Sequence, residues 1–310
     1  MSAIRYGKVA KANATSAYRV AYSSASQLLL VGSRSSSFTF FNYNPNSLGG
    51  AVSGNVAGGN IFTLTLDANG GTGYAGTNGG VYQLNTNGTS NQLNSGTRTT
   101  GLFAAANDLV AARPNAGTLR RMTYGGTTIW TSAPLNAAMA CPGGSVTLGN
   151  PTLVAVDTGD LVYTVTDTGY LAQFSTDVQT CNWNVQLAGI SNTVANDTLA
   201  IRANTDLWVT AGTNGVYVYN LSGTQLSGSP IAVPYAQDVV FSPNGAYAFV
   251  TNPNVGQVAV INTSTRAIVG QYDVAGGRAE YLAALNAVVT GLQPKVRFFL
   301  TDGASVFQTQ

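Results

Sequence analysis

The stretch AYAFVTNPNVGQVAVIN, residues 246–262, holds two runs rich in β-branched and aromatic residues around a Thr-Asn-Pro-Asn turn followed by Gly. It reads as a hairpin, because Asn, Asp and Gly tolerate the positive φ angles that tight turns need. The same plan recurs in YAGTNGGVYQLNTNG (74–88), YTVTDTGYLAQFSTD (163–177) and WVTAGTNGVYVYNLSG (208–223). The turn positions Asn78, Asp167, Asn214 and Asn252 lie 89, 47 and 38 residues apart. Taking the first gap as two periods gives a unit of about 40–50 residues, the length of a four-stranded propeller blade.

Upstream of each hairpin lies another β run ending in a turn: IFTLTLDANGG, TLVAVDTGD, TLAIRANTD and DVVFSPNGA. Weaker copies stand at AYRVAYSSASQLLLVGS, GLFAAANDLVAARP and EYLAALNAVVTGL. Innermost strands starting near Ala17, Ile61, Thr100, Thr152, Thr198, Gln237 and Arg278 make seven units that fill the chain. No capped helical segment and no Pro-rich or charged linker interrupts them, so residues 1–310 read as one all-β domain, a seven-bladed β-propeller of four-stranded antiparallel blades. Each blade has an edge and an apolar face that only neighbours can cover, so the ring must close. Residues 1–16 are expected to supply the closing outer strand of the last blade, with the C-terminal ASVFQTQ competing for that place.

Residues 249–274, FVTNPNVGQVAVINTSTRAIVGQYDV, resemble the YVTN-type β-propeller repeat: a Val-Thr-Asn turn, a Val-x-Val-Ile strand, an Asn with Thr, and a strand leading onward. The resemblance is closest in this unit and looser at 208–223. It implies a seven-bladed propeller of a kind often found on secreted or cell-surface proteins of archaea and bacteria. A shared fold does not by itself supply function.

Charged residues make up 8% of the 310-residue chain, against about 25% in an average soluble protein. There are eleven Asp and one Glu, eleven Arg and three Lys, and no His. Few carboxylates means few groups whose protonation drives acid unfolding, a composition suited to an acidic exterior. A net charge of +2 without a dense basic run argues against nucleic acid as a partner. The one adjacent Arg pair, Arg120 and Arg121 in LRRM, is expected on a solvated strand face. No run of about 18 apolar residues is present to span a membrane as a helix. The opening residues lack the apolar centre of a secretory signal. An extracellular composition without a leader fits a chain made in the cytosol and exposed on a virion, or one exported by an unusual route.

Absence of His removes the commonest general base and metal ligand, excluding a Ser-His-Asp arrangement and a His-based metal centre. No metal and no cofactor is expected, and no residue is singled out as catalytic. Gly pairs such as Gly70-Gly71 sit at turns rather than in a phosphate-cradling Gly-Lys-Ser/Thr run. Five charged residues in or beside innermost strands, Arg19, Arg202, Asp238, Arg278 and Glu280, are the candidates for a ligand site in the central channel. Cys141 and Cys181 are candidates for a disulfide, with two buried thiols as the alternative. Asn13, Asn87, Asn196, Asn220 and Asn262 stand in glycosylation motifs.

These features lead to a non-enzymatic surface recognition or structural module, a virion surface, fibre or host-attachment protein of an archaeal virus from a hot acidic environment. Its partners would be other structural proteins of the particle or envelope, or a host surface protein or glycan. The alternatives are a lactonase- or lyase-like propeller enzyme, and a cellular surface-layer-type envelope protein.

Overall fold

A computed structural model describes residues 4–5, 8–13, 17–44, 47–187, 197–274, 279–289, 294–301 and 305–309. It shows seven β-sheet blades in a ring, with innermost strands Ala17–Ser23, Ile61–Leu66, Gly101–Ala104, Pro151–Val156, Leu199–Arg202, Val239–Phe241 and Leu282–Val289. Within each blade successive strands pair antiparallel from the channel outward. In the fifth blade the outer place belongs to an irregular segment, which bridges Ile231 to Val216 and Gln225 to Tyr219. One 3-10 turn, Pro114–Ala116, is the sole helical element among the described residues.

Both chain ends enter the last blade. Ser305–Thr309 is its third strand, and Lys8–Asn13 pairs antiparallel outside it as the fourth. The two segments are therefore sequential layers rather than competitors. Ile4–Arg5 adds a parallel edge to Ala267–Asp273 of the sixth blade, so the N-terminal segment covers two otherwise open edges.

The core follows from this arrangement. Alternation along each strand sends side chains to both faces of a blade, and each face must be buried against the next blade. Among the described residues the buried apolar side chains fall into seven clusters, one at each junction. The ring-closing junction joins Phe299 and Val306 of the last blade to Leu29, Val31 and Phe41 of the first. Between the third and fourth blades an insertion carries the hairpin Met139–Cys141/Gly144–Val146. Its Leu135, Met139 and Leu148 join the cluster of Leu119 and Phe174. Cys141 of the insertion is disulfide-bonded to Cys181 at the start of the fourth blade's outer strand.

The Thr of the repeated turn has a specific task. Thr251 Oγ1 accepts from Asp238 N–H (2.9 Å) within its own blade and donates to Glu280 C=O (2.8 Å) of the next. Thr210 does the same between Thr198 N–H (2.7 Å) and Gln237 C=O (3.0 Å). Thr301 repeats it between Tyr281 N–H (3.2 Å) and Tyr18 C=O (3.1 Å), closing the ring. All three are completely buried. The strand register puts Ser33, Thr77 and Thr166 at the same place in three other blades, and Ala112 in the third. Replacing Thr251 by Val keeps the shape but strands the buried Asp238 N–H and leaves the Glu280 carbonyl only the longer bond from Gln237 Nε2 (3.4 Å). Chemical denaturation is expected to show a loss of about 1–3 kcal/mol. Thr251→Ser, which keeps the hydroxyl, is expected to lose less.

Candidate ligand site at the channel mouth

The innermost strands of all seven blades line a central cavity of about 230 Å³. Its walls mix apolar side chains, among them Val20, Leu64, Leu102, Val154 and Leu282, with polar groups, foremost Arg19, Asp197, Thr198, Asp238 and Tyr281. These polar groups share one cause. Each stands just before or at the start of its innermost strand, so the ring gathers them at the end of the channel where those strands begin.

The Arg19 guanidinium carbon lies 3.8 Å from the centroid of the Tyr281 ring and 5.2 Å from that of Tyr18. The two tyrosines meet edge to face at 4.9 Å, with their hydroxyls 3.2 Å apart. The guanidinium of Arg34, from the turn between second and third strands of the first blade, lies 4.5 Å from the centroid of the Tyr18 ring. It also reaches Glu280 Oε1 at 3.3 Å. The mouth is thus bounded by alternating guanidinium and aromatic groups, an arrangement that keeps cations in place by ring quadrupoles as well as by charge.

Asp238 is buried beside this stack. Its Oδ1 accepts from Thr198 Oγ1 and its Oδ2 from Leu282 N–H, both at 2.7 Å. Burial pushes its carboxyl pKa up, and the bonds from Leu282 and Thr198 and the charge of Arg19 offset this only in part. Burial likewise raises the Tyr281 phenol well above its usual value, with Arg19 opposing. For Asp238 the consequence has a definite sign. The native state holds the proton to a higher pH than the unfolded chain, whose Asp titrates near about 3.9. Stability from this residue is therefore complete below about pH 4 and is lost as pH rises through the native value. Asp238→Asn removes that loss, so thermal unfolding from about pH 3 to pH 7 is expected to favour the variant increasingly as pH rises. Parallel pH curves for the two proteins would contradict the assignment.

The structure brings Arg19 and Asp238 together in the cavity lining; Glu280 lies outside it, held by Arg34, and Arg202 is elsewhere. Arg202 ends the strand Leu199–Arg202, so it lies at the other end of the channel from Thr198, outside the cavity lining. There it makes a bidentate pair with Asp206 (2.8 and 2.7 Å) and reaches Thr263 Oγ1 (3.3 Å) in the sixth blade. It is a tie between blades. Arg278 lies outside the described residues. Tyr18, Arg34, Asp197 and Tyr281 belong to the mouth although sequence reasoning passed over them. Of these, Arg34 had a signal: it occupies a turn where the second, fourth and sixth blades place Asn78, Asp167 and Asn252.

The glycosylation motifs coincide with turns. Asn87 Oδ1 accepts from Thr89 N–H (3.0 Å), Asn220 Oδ1 from Ser222 and Thr224 N–H (3.0 and 2.8 Å), and Asn262 Oδ1 from Ser264 and Thr265 N–H (both 3.0 Å). The side chain of Asn13 and all of Asn196 lie outside the described residues. Turn geometry thus accounts for three of the Asn-x-Ser/Thr triplets.

The Arg pair of LRRM departs from the expected solvated face. Arg121 is buried, with Nε 2.7 Å from Asp108 Oδ2, a second nitrogen 2.7 Å from Asp160 Oδ1, and a third 2.9 Å from Thr176 O. Alternation on the strand Thr118–Thr123 sends Arg121 and Leu119 toward the fourth blade. The carboxylates come to it from other turns. No family model matches the chain, and no curated protein matches it.

Proposed function

We propose that the chain is a non-enzymatic recognition or structural module displayed on an exposed surface, that of a virion. The loops around the channel mouth would face its partner, a particle protein, a host surface protein or a glycan. The observation that carries this reading is the commitment of the scarce carboxylates to structure. Asp108, Asp160, Asp206 and Glu280 hold arginines. Asp67, Asp157 and Asp177 accept from turn N–H groups, Asp167 from Asn150 and Asp273 from Gln257. Acids and bases fixed in this way serve the scaffold, whereas hydrolytic chemistry needs a pair facing one bond.

Exposure draws on two further features. A disulfide persists in oxidising surroundings, and a surface with little charge suits an exterior where carboxylates would be protonated. We also group the repeat with the YVTN type, on the strength of the Thr251 and Thr210 bonds between blades. Antibody labelling of released particles and of envelopes from uninfected cells tests the placement. Label on particles is the expected result. Label confined to uninfected envelopes would overturn the virion reading in favour of a cellular surface protein.

A further inference from the structure

In the third blade Ala112 stands where the repeat has its small hydroxyl residue, and the next position, Asp167 in the fourth blade and Asn252 in the sixth, is Arg113. Arg113 is 7% exposed, and one of its nitrogens donates to Thr97 Oγ1 at 2.6 Å. Arg120 pairs across the strands with Ala111, two residues before Arg113. Alternation therefore puts Arg113 and Arg120 on one face of the blade. That face meets the second blade, because Leu109, Ala111 and Met122 on it pack against Tyr74 and Val81. Arg98, in the crossing from second to third blade beside Thr97, lies over the Phe62 ring at 4.3 Å.

The surroundings of these three are unlike those of Arg34, Arg121 and Arg202, each of which holds a carboxylate. Among the described residues no carboxylate lies within ion-pair distance of Arg98, Arg113 or Arg120. Burial, followed by the charge of Arg120, lowers the pKa of Arg113 to about 10, and burial also lowers that of Arg120. The Nε atoms of Arg98 and Arg120 are buried without an acceptor. Two like charges, Arg113 and Arg120, on one partly desolvated blade face, with buried donors left over on Arg120 and on Arg98 in the adjoining crossing, cost stability unless an anion joins them.

We propose that the cleft between the second and third blades, at Arg98, Arg113 and Arg120, binds an oxyanion. Guanidinium forks match sulfate, phosphate and carboxylate oxygens in the same two-pronged way, which a lysine cluster would not. The site goes beyond the display function proposed above and does not depend on it, since it is built of residues outside the cavity lining.

Thermal unfolding and calorimetric titration of the full chain test the proposal, using sodium sulfate against sodium chloride at matched ionic strength. Sulfate is expected to stabilise the wild-type protein saturably, and Arg120→Gln and Arg98→Gln are each expected to weaken binding about tenfold or more, the effect of losing a charge-assisted bond. Arg120→Lys keeps the charge without the fork and is expected to fall between. Because Arg120→Gln also relieves repulsion, it is expected to fold and to match or exceed wild type in chloride alone. Phosphate and glucuronate arms identify the source of the oxyanion: tighter sulfate and phosphate point to a tetrahedral dianion, and tighter glucuronate to a sugar acid. A sulfate response that never saturates, or that survives unchanged in the Arg98→Gln, Arg120→Gln double variant, would overturn the site.

Discussion

Arg121→Met is expected to lower stability by about 3–5 kcal/mol, the cost of removing one partner from a buried ion pair. The wild-type guanidinium bridges three segments: Asp108 on its own blade, and Asp160 and the Thr176 carbonyl on the fourth. Burial by itself would lower the Arg121 pKa, but the bonds and charges of Asp108 and Asp160 outweigh it and raise it. Without the cation, Asp108 keeps its charge in a buried site with nothing to balance it, while Asp160, half-exposed, returns to water. The penalty therefore belongs mainly to Asp108. The double variant Asp108→Leu, Arg121→Met removes the stranded charge as well and is expected to recover most of the loss. Urea denaturation of the wild type, both single variants and the double variant closes the cycle. A single-variant loss below about 1 kcal/mol would show that the cluster behaves as an exposed pair.

The blades were legible because their signal is local. A β run, a Thr-Asn or Thr-Asp turn with Gly and a second run recur at fixed spacing, and Thr251 and Asn262 turn out to be the residues that hold blade to blade and shape the turns. The closing arrangement was legible in part, since ring closure demands an edge cover but only the three-dimensional pairing orders Lys8–Asn13 outside Ser305–Thr309. The channel residues divide by position along a strand. Asp238 stands before Val239–Phe241 and reaches the mouth, whereas Arg202 ends Leu199–Arg202 and leaves it. Both lie in or beside an innermost strand, so assignment to that strand alone could not separate them.

Arg121 was read as a solvated charge because its partners are 13 and 39 residues away, Asp108 on the neighbouring strand of its own blade and Asp160 a neighbour only when the third and fourth blades dock. Pairing of that kind leaves no spacing in the sequence to find. The Arg98, Arg113 and Arg120 cluster was hidden for a related reason. Arg113 becomes conspicuous only through the strand register, which gives its place to Asn78, Asp167 and Asn252 in the second, fourth and sixth blades.

Replacing both Cys141 and Cys181 by Ser is expected to cost about 4 kcal/mol, through the loop of 40 residues that the bond closes in the unfolded chain. The loop contains the second half of the third-to-fourth blade insertion and three of the fourth blade's strands, so its freedom in the reduced chain is large. The native state, in contrast, loses little: both residues are buried beside Leu148, Phe174 and Val178, where Ser can fit with some loss of apolar contact. The stabilisation thus acts chiefly on the unfolded side of the equilibrium, and the same fold is expected to survive in the double variant. Two measurements separate this from a local packing effect. Circular dichroism of the native double variant is expected to match the wild type, while its denaturation midpoint falls. Adding reductant to the wild-type protein is expected to bring its midpoint down to that of the double variant, whereas reductant leaves the double variant itself unmoved. A wild-type midpoint that stays in place after complete reduction would show that the insertion is held by Leu135, Met139 and Leu148 alone.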